Sequence, residues 1–215
     1  MKYYPVNLDL THKRCVVIGG GEVAERKVER LLECGARVTV VSRTLTPGLA
    51  KGKAAGQLEH VDRDYEATAL DGAFMVIGAT DRGDVNERIS GDATARGLLV
   101  NIVDDPDRCN FILPSLVRQG DLSIAVSTGG KSPALAKKLR KELERQYGPE
   151  YQTLIDIMGT LRQKILARGQ RTEDNKPIFE DLVHSDLLQA IREKDSGRVK
   201  AIILERTGIS LDVRL

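Results

Sequence analysis

Six consecutive residues constrain this chain more than any others: Gly19-Gly20-Gly21-Glu22-Val23-Ala24, set directly after the apolar run Arg14-Cys15-Val16-Val17-Ile18. A continuous apolar run of that length reads as a strand buried on both faces. From Glu22 to Cys34 the period becomes helical, with Val23, Val28, Leu31 and Leu32 turned inward and Gly35 just past the end. Strand, glycine turn and helix in that order fit the pattern G-x-G-x-x-A, whose small residues each have a job. Gly19 makes the tight turn, Gly21 lets the backbone approach a pyrophosphate, and Ala24 allows helix and strand to pack closely. Amides at the helix N-terminus then face the phosphates. The competing reading is a glycine turn that holds no ligand.

Further strands are expected at Arg37 to Val41, Leu58 to Val61, Phe74 to Gly78 and Leu98 to Val103, with a helix from Val85 to Ala95. Strands alternating with helices at this spacing imply an α/β fold with a doubly wound parallel sheet of the Rossmann type. After Pro106 the pattern changes. Phe111 to Val117 and Leu122 to Val126 flank the turn composition Arg118-Gln119-Gly120-Asp121, which suggests an antiparallel β-hairpin. A helix follows, with Ser132 as its N-cap, Pro133 in its first position, and Ala136, Leu139 and Leu143 as its apolar stripe. Beyond it the pattern is helical: Tyr151 to Ala167, a polar linker over Arg171 to Pro177, then Asp186 to Glu193 and Arg198 to Arg206. The expected division is a dinucleotide-binding domain over 1–110, a hairpin-and-helix segment over 111–148, and a helical C-terminal region over 149–215.

Composition narrows the class. A net charge of +2 with no long basic run gives no case for nucleic acid as the main partner. No stretch has the apolar length of a membrane span or a signal peptide, and the three scattered cysteines, Cys15, Cys34 and Cys109, fit a reducing cytoplasm. None of His12, His60 and His184 stands at metal-ligand spacing, so surface positions are expected for all three and no metal site is.

Other residues carry chemistry with more than one reading. An Asp or Glu commonly ends the second strand of an NAD-binding fold, accepting from the ribose; here stand Ser42-Arg43-Thr44. Arg43 either pairs with the extra phosphate of NADP or is solvated while backbone groups hold the ribose. Asp104 follows the fifth strand, at the sheet edge where open α/β folds bind ligands, and there a carboxylate can accept a proton. Its bland reading is to cap the turn made with Asp105-Pro106. Asn101 and Ser115 either orient the loop or bind substrate. Thr128-Gly129-Gly130 before a helix could form an anion-binding concavity, with Lys131, Lys137 and Arg140 nearby in sequence, although a solvated helix face explains many of these cations.

Several segments together resemble the precorrin-2 dehydrogenase/sirohydrochlorin ferrochelatase family, the N-terminal module of siroheme synthase. They are Val16 to Lys27, Ala79-Thr80-Asp81, Asn101-Ile102-Val103-Asp104, Phe111-Ile112-Leu113-Pro114-Ser115, and Ala125 to Pro133. The Val-Ala-Glu-Arg-Lys continuation and the Ser-Thr-Gly-Gly-Lys-Ser-Pro turn are far more specific than the glycines alone. The resemblance covers roughly residues 1 to 147. It implies an NAD-dependent oxidation of a tetrapyrrole, precorrin-2, to sirohydrochlorin, with iron insertion as the family's second reaction. Cofactor contacts are implied at Glu22, Val23, Arg43, Thr44 and Thr80, the key acid at Asp104, and an intertwined homodimer through the segment after the sheet. A substrate with many carboxylates would draw on Asn101, Ser115, Thr128, Gly129, Gly130 and Lys131. Some members carry a modifiable serine where this chain has Thr128. A different class remains as the alternative: a non-catalytic NAD-sensing module, which would ordinarily keep the acid that is missing after the second strand and gives no reason for the Phe-Ile-Leu-Pro-Ser hairpin.

Overall fold

The structure, a computed structural model, describes residues 2–168 and 172–215. They form two compact units, divided between Leu113 and Pro114.

The first unit contains β1 (Arg14–Ile18), α1 (Glu22–Glu33), β2 (Arg37–Val41), α2 (Pro47–Ala54), β3 (Glu59–Val61), β4 (Met75–Gly78), α3 (Gly83–Ala95) and β5 (Leu99–Ile102). Its five strands are all parallel and lie in the order β3-β2-β1-β4-β5. β1 is central, with Val16 opposite Thr39 on one side and Val76 on the other. Because side chains alternate along a strand, the sheet divides the core in two. Cys15 and Val17 pack with Ala24, Val28 and Leu31 of α1, whereas Val16 and Ile18 pack with Val85, Ile89 and Ala93 of α3. Helices on both faces explain why the strands read as unbroken apolar runs. This is the expected doubly wound sheet, and each expected strand is present. The strand order reverses between β1 and β4, so the loops leaving these two strands diverge and open a crevice at the carboxyl edge.

α2 escaped the sequence reading because its eight residues include Gly48 and Gly52 and show no apolar stripe. Its start was legible: the Thr46 hydroxyl accepts from the Leu49 amide at 3.3 Å, and Pro47 occupies the first helical position. A Cβ at Gly48 would lie 1.7 Å from Glu25 Oε1, so the glycine lets α2 approach α1.

The second unit opens with the expected hairpin, β6 (Ser115–Gln119) antiparallel to β7 (Leu122–Val126), with Val117 opposite Ile124. The first of these strands begins at Ser115 rather than Phe111; Phe111 instead packs against the α1 side of the first unit's core. α4 (Pro133–Gln146) starts as expected, Ser132 Oγ accepting from the Leu135 amide at 3.3 Å. α5 (Glu150–Leu166), α6 (Thr172–His184), α7 (Leu187–Arg192) and α8 (Ser196–Thr207) follow. The polar linker expected over Arg171 to Pro177 is corrected here: from Thr172 onward the chain is helical and Pro177 lies inside α6, while Arg171 falls outside the described residues. Burial overrides the proline, since Ile178, Phe179 and Leu182 pack on Leu161, Ile165 and Ile203, and a helix takes most of its stability from such a face. No helix among the described residues is long and apolar enough to cross a membrane.

Candidate functional site

The glycine turn after β1 is shaped by two contacts of different kinds. Gly19 has φ +116°, a left-handed conformation that side chains disfavour, and a Cβ there would lie 2.3 Å from the Ala79 carbonyl oxygen after β4. Gly20, the variable position of the fingerprint, is tighter still: its Cβ would fall 1.9 Å from the Thr44 carbonyl oxygen. The turn is thereby wedged between the loops that follow β2 and β4. Gly21 differs from both, because a Cβ there would meet nothing within 4 Å. Its role is to leave space, not to fit a crowded backbone.

Gly21 is also the N-cap of α1, extended at φ −87° and ψ −176°, and no side chain caps the helix. The first-turn amides of Glu22, Val23 and Ala24 therefore face the crevice without a side-chain acceptor, at the positive end of the helix dipole. Open space above Gly21 and donors beneath it fit a dinucleotide pyrophosphate.

At the end of β2, Arg43 and Thr44 are exposed. The Arg43 guanidinium lies 3.5 Å from the Asp64 carboxylate and 3.4 Å from the Asp62 carbonyl oxygen. His60, expected at the surface, is half-buried: its Nε2 lies 2.9 Å from the Ser42 carbonyl oxygen and its Nδ1 3.1 Å from Lys53 Nζ. The ring thus braces the backbone leading into Arg43.

Beyond β4, Thr80 Oγ1 donates to Asn86 Oδ1 at 2.8 Å, and Asn86 Nδ2 donates back to the Thr80 carbonyl at 3.0 Å. This reciprocal pair fixes the loop against the first turn of α3.

The loop after β5 is held from within. Asn101 is buried and donates through Nδ2 to the Phe111 carbonyl at 3.1 Å, so the structure uses it to orient the segment. Cys109 Sγ lies 3.1 Å from the Ile102 amide, 3.3 Å from the Ile102 carbonyl oxygen and 3.0 Å from the Asp105 carbonyl oxygen. Burial raises its pKa above the ordinary thiol value, so it stays protonated as a brace. Between these anchors stands Asp104, exposed and at φ +60°. Aspartate tolerates the left-handed region better than most side chains, and here it holds a turn position between the braced Ile102 and Cys109. The adjacent Asp105 carboxylate is taken up by Arg108.

Lys27 of α1 adds a cation that the sequence reading left without a role. It is half-buried, and among the described residues it makes no ion pair or hydrogen bond. Desolvation lowers its pKa first, Arg30 and Arg26 lower it further, and the Asp104 charge opposes them. The signal was present in the Val-Ala-Glu-Arg-Lys continuation. For Gly20 the signal was its place in the middle of three consecutive glycines; Asn86 and Cys109 carried none, since both act only through the folded loop.

In the second unit, Ser115 begins β6 and is half-buried. The turn before α4 closes on Thr128, whose carbonyl accepts from the Lys131 amide at 3.1 Å and whose Oγ1 accepts from the Ser132 amide at 3.0 Å. Gly129 and Gly130 are left-handed, at φ +61° and +84°, and Gly129 donates to Ser127 Oγ at 3.2 Å. Three of the turn's amides are thus bonded inside it, and Lys131, the residue after Gly130, is exposed. Arg140 pairs with Glu144 at 2.5 Å. A separate cavity of about 430 Å³ lies between α5 and α6, lined by Leu166, Phe179 and Val183 among others. Among the described residues, neither amide atom of Asn175, buried there, has a hydrogen-bond partner.

Residues 6–115 match a family model described as NAD(P)-binding, and residues 119–146 match that of the sirohaem biosynthesis protein central region. The siroheme synthase of Chromobacterium violaceum is 35% identical over 206 residues, covering 96% of this chain and 44% of that protein. That of Methylobacillus flagellatus is 41% identical over 182 residues, covering 85% of this chain and 39% of that protein. The chain therefore spans less than half the length of these curated relatives. A solved structure named SirC, precorrin-2 dehydrogenase, shares the fold with a TM-score of 0.83 at 24% identity, covering 96% of this chain and 100% of that one. With a fingerprint turn that fits a pyrophosphate and a matching model over half its length, the chain belongs to the NAD(P)-binding family in its siroheme-synthase form, the one its motifs resemble.

Proposed function

We propose that the chain oxidises precorrin-2 to sirohydrochlorin, with NAD as the hydride acceptor. The observation that carries this reading is Asp104, a braced, left-handed carboxylate on the edge of a crevice built for a dinucleotide. The relatives support it, being named siroheme synthase, as does the structural neighbour named precorrin-2 dehydrogenase. NAD is preferred to NADP because Asp64 already faces Arg43, and an added ribose phosphate would meet that carboxylate.

The bound nicotinamide supplies the hydride acceptor. The chain's own residues do the rest. α1's first-turn amides hold the pyrophosphate, and Thr80, fixed by Asn86, lines the β4 side of the crevice. Asp104 accepts the proton that leaves the macrocycle with the hydride. Asn101 and Cys109 keep that carboxylate where the ring arrives. Iron insertion into sirohydrochlorin requires loss of pyrrole protons, and Asp104 is the acceptor proposed there too. Ser115, Thr128, Gly129, Gly130 and Lys131 are proposed to receive substrate carboxylates. A C2 homodimer is proposed through the hairpin and α4.

Mixing the protein with precorrin-2 and NAD should produce the sirohydrochlorin spectrum. Asp104→Asn preserves shape but cannot act as a base, and should slow oxidation roughly 10²- to 10⁴-fold with NAD affinity and melting temperature unchanged. Near-normal oxidation by this variant would reduce Asp104 to a turn-maker. NAD binding without any oxidation by the wild type would favour the sensing module instead.

A further inference from the structure

We propose that Lys27 anchors a peripheral carboxylate of the macrocycle beside Asp104, and so helps to select a polycarboxylate substrate; this rests on the function proposed above. The placement comes from helix geometry. Ala24, Val28 and Leu31 face the sheet. Glu25, Glu29 and Leu32 line a hollow shared with α2, which fixes the flank of α1 turned toward β2 and β3. At 100° per residue, Val23, Lys27 and Arg30 must occupy the opposite flank, toward β4 and β5. Val103 and Phe111, which bracket the Asp104 loop, pack on the same α1-side core. Lys27 and Asp104 therefore face one another across the α1 side of the β5 loop.

Two features make Lys27 a receptor rather than a structural cation. First, it is half-buried yet makes no ion pair or hydrogen bond among the described residues, so its partial desolvation is offset only in part, by the Asp104 charge acting without direct contact. An arriving carboxylate would supply that contact. Secondly, it stands three to five residues beyond the Glu22, Val23 and Ala24 amides that face the pyrophosphate, about 5–8 Å along the helix at 1.5 Å per residue. Its place on the flank of α1 turned toward the β5 loop, where Val103 and Phe111 pack, is what assigns it to the substrate. The Asp104 charge acts on Lys27 and partly opposes the lowering of its pKa, consistent with the two groups facing one region.

The test uses Lys27→Met, which keeps the apolar stem and removes the charge, and Lys27→Arg, which keeps the charge. Sirohydrochlorin, titrated by absorbance into each protein without cofactor, should bind Lys27→Met about 10-fold or more weakly, as loss of a charge-assisted hydrogen bond implies. Lys27→Arg should retain most of the affinity. The KM for precorrin-2 should rise in Lys27→Met while kcat stays within about threefold and NAD affinity is unchanged. Equal sirohydrochlorin affinity in wild type and Lys27→Met overturns the anchor. An unchanged KM with a shifted kcat pH profile also overturns it, because Lys27 would then act through Asp104. Absence of sirohydrochlorin binding by the wild type removes both this inference and the function on which it rests. Should Lys27→Met melt well below the wild type, Lys27→Gln, still able to hydrogen-bond but uncharged, decides by the same titration.

Discussion

At the scale of single residues, the fingerprint divides into positions that serve the fold and positions that serve the ligand. Gly20→Ala would drive a Cβ to 1.9 Å from the Thr44 backbone oxygen, so the two loops must separate. Overpacking of that kind costs roughly 1–3 kcal/mol, about 2–4 °C in melting temperature per kcal/mol for a chain of this size. Gly21→Ala meets nothing within 4 Å and should melt with the wild type, while its methyl enters the space proposed for the pyrophosphate. Differential scanning fluorimetry and calorimetric titration of NAD should therefore separate the pair: Gly20→Ala loses stability, and Gly21→Ala loses affinity alone. Equal melting temperatures for the two variants would contradict this division. The same contrast applies after β5, where Asn101 and Cys109 are spent on bracing and leave Asp104 exposed.

Among the elements, α5 illustrates a contact that pH should reveal. Glu150 opens the helix and accepts from Arg192 Nε at 2.9 Å, with 18% of its side chain exposed. Desolvation pushes its pKa up, but backbone amides and the Arg192 bond outweigh it, and the net shift is below the ordinary value of 4.5. A carboxylate whose folded pKa is depressed stabilises the fold fully above its unfolded pKa and loses that contribution as pH falls through the folded value. The stabilisation should thus be intact above pH 4.5 and disappear below it. Since Arg192 is 43% exposed, solvent screening holds the effect to about 1 kcal/mol or less. Glu150→Gln should accordingly melt a few degrees below wild type at pH 6 and converge with it at pH 3. A gap of the same size at both pH values would assign the loss to packing instead.

For the whole molecule, the exposed apolar surface points to self-association. Leu116 on β6 and Leu135 and Leu139 on α4 are 38%, 46% and 37% exposed. A two-stranded sheet cannot shield both its faces, and the α4 stripe read from the sequence is only partly covered, with Ala136 buried and Leu139 not. Sedimentation velocity should find a dimer at micromolar concentration, and Leu135→Glu with Leu139→Glu should shift it to monomer. A concentration-independent monomer for the wild type would rule the dimer out.

What the sequence determined by itself was whatever depends on neighbours along the chain. The apolar runs of β1, β2 and β4, the glycine turn, the Ser132-Pro133 cap and the hairpin turn at Gly120 all encode local geometry, and all stand where they were read. So does the parallel sheet, because alternating strands and helices leave few other topologies. Tertiary structure decided what depends on partners distant in sequence. Gly20 is indispensable only because Thr44 passes over it, and Cys109 is a brace only because β5 ends beneath it. Pro177 argued for a linker, yet burial of Ile178, Phe179 and Leu182 made a helix. Lys27 was legible as a letter in a motif, but its position opposite Asp104 follows from the rotation of α1 on the sheet, which packing alone sets.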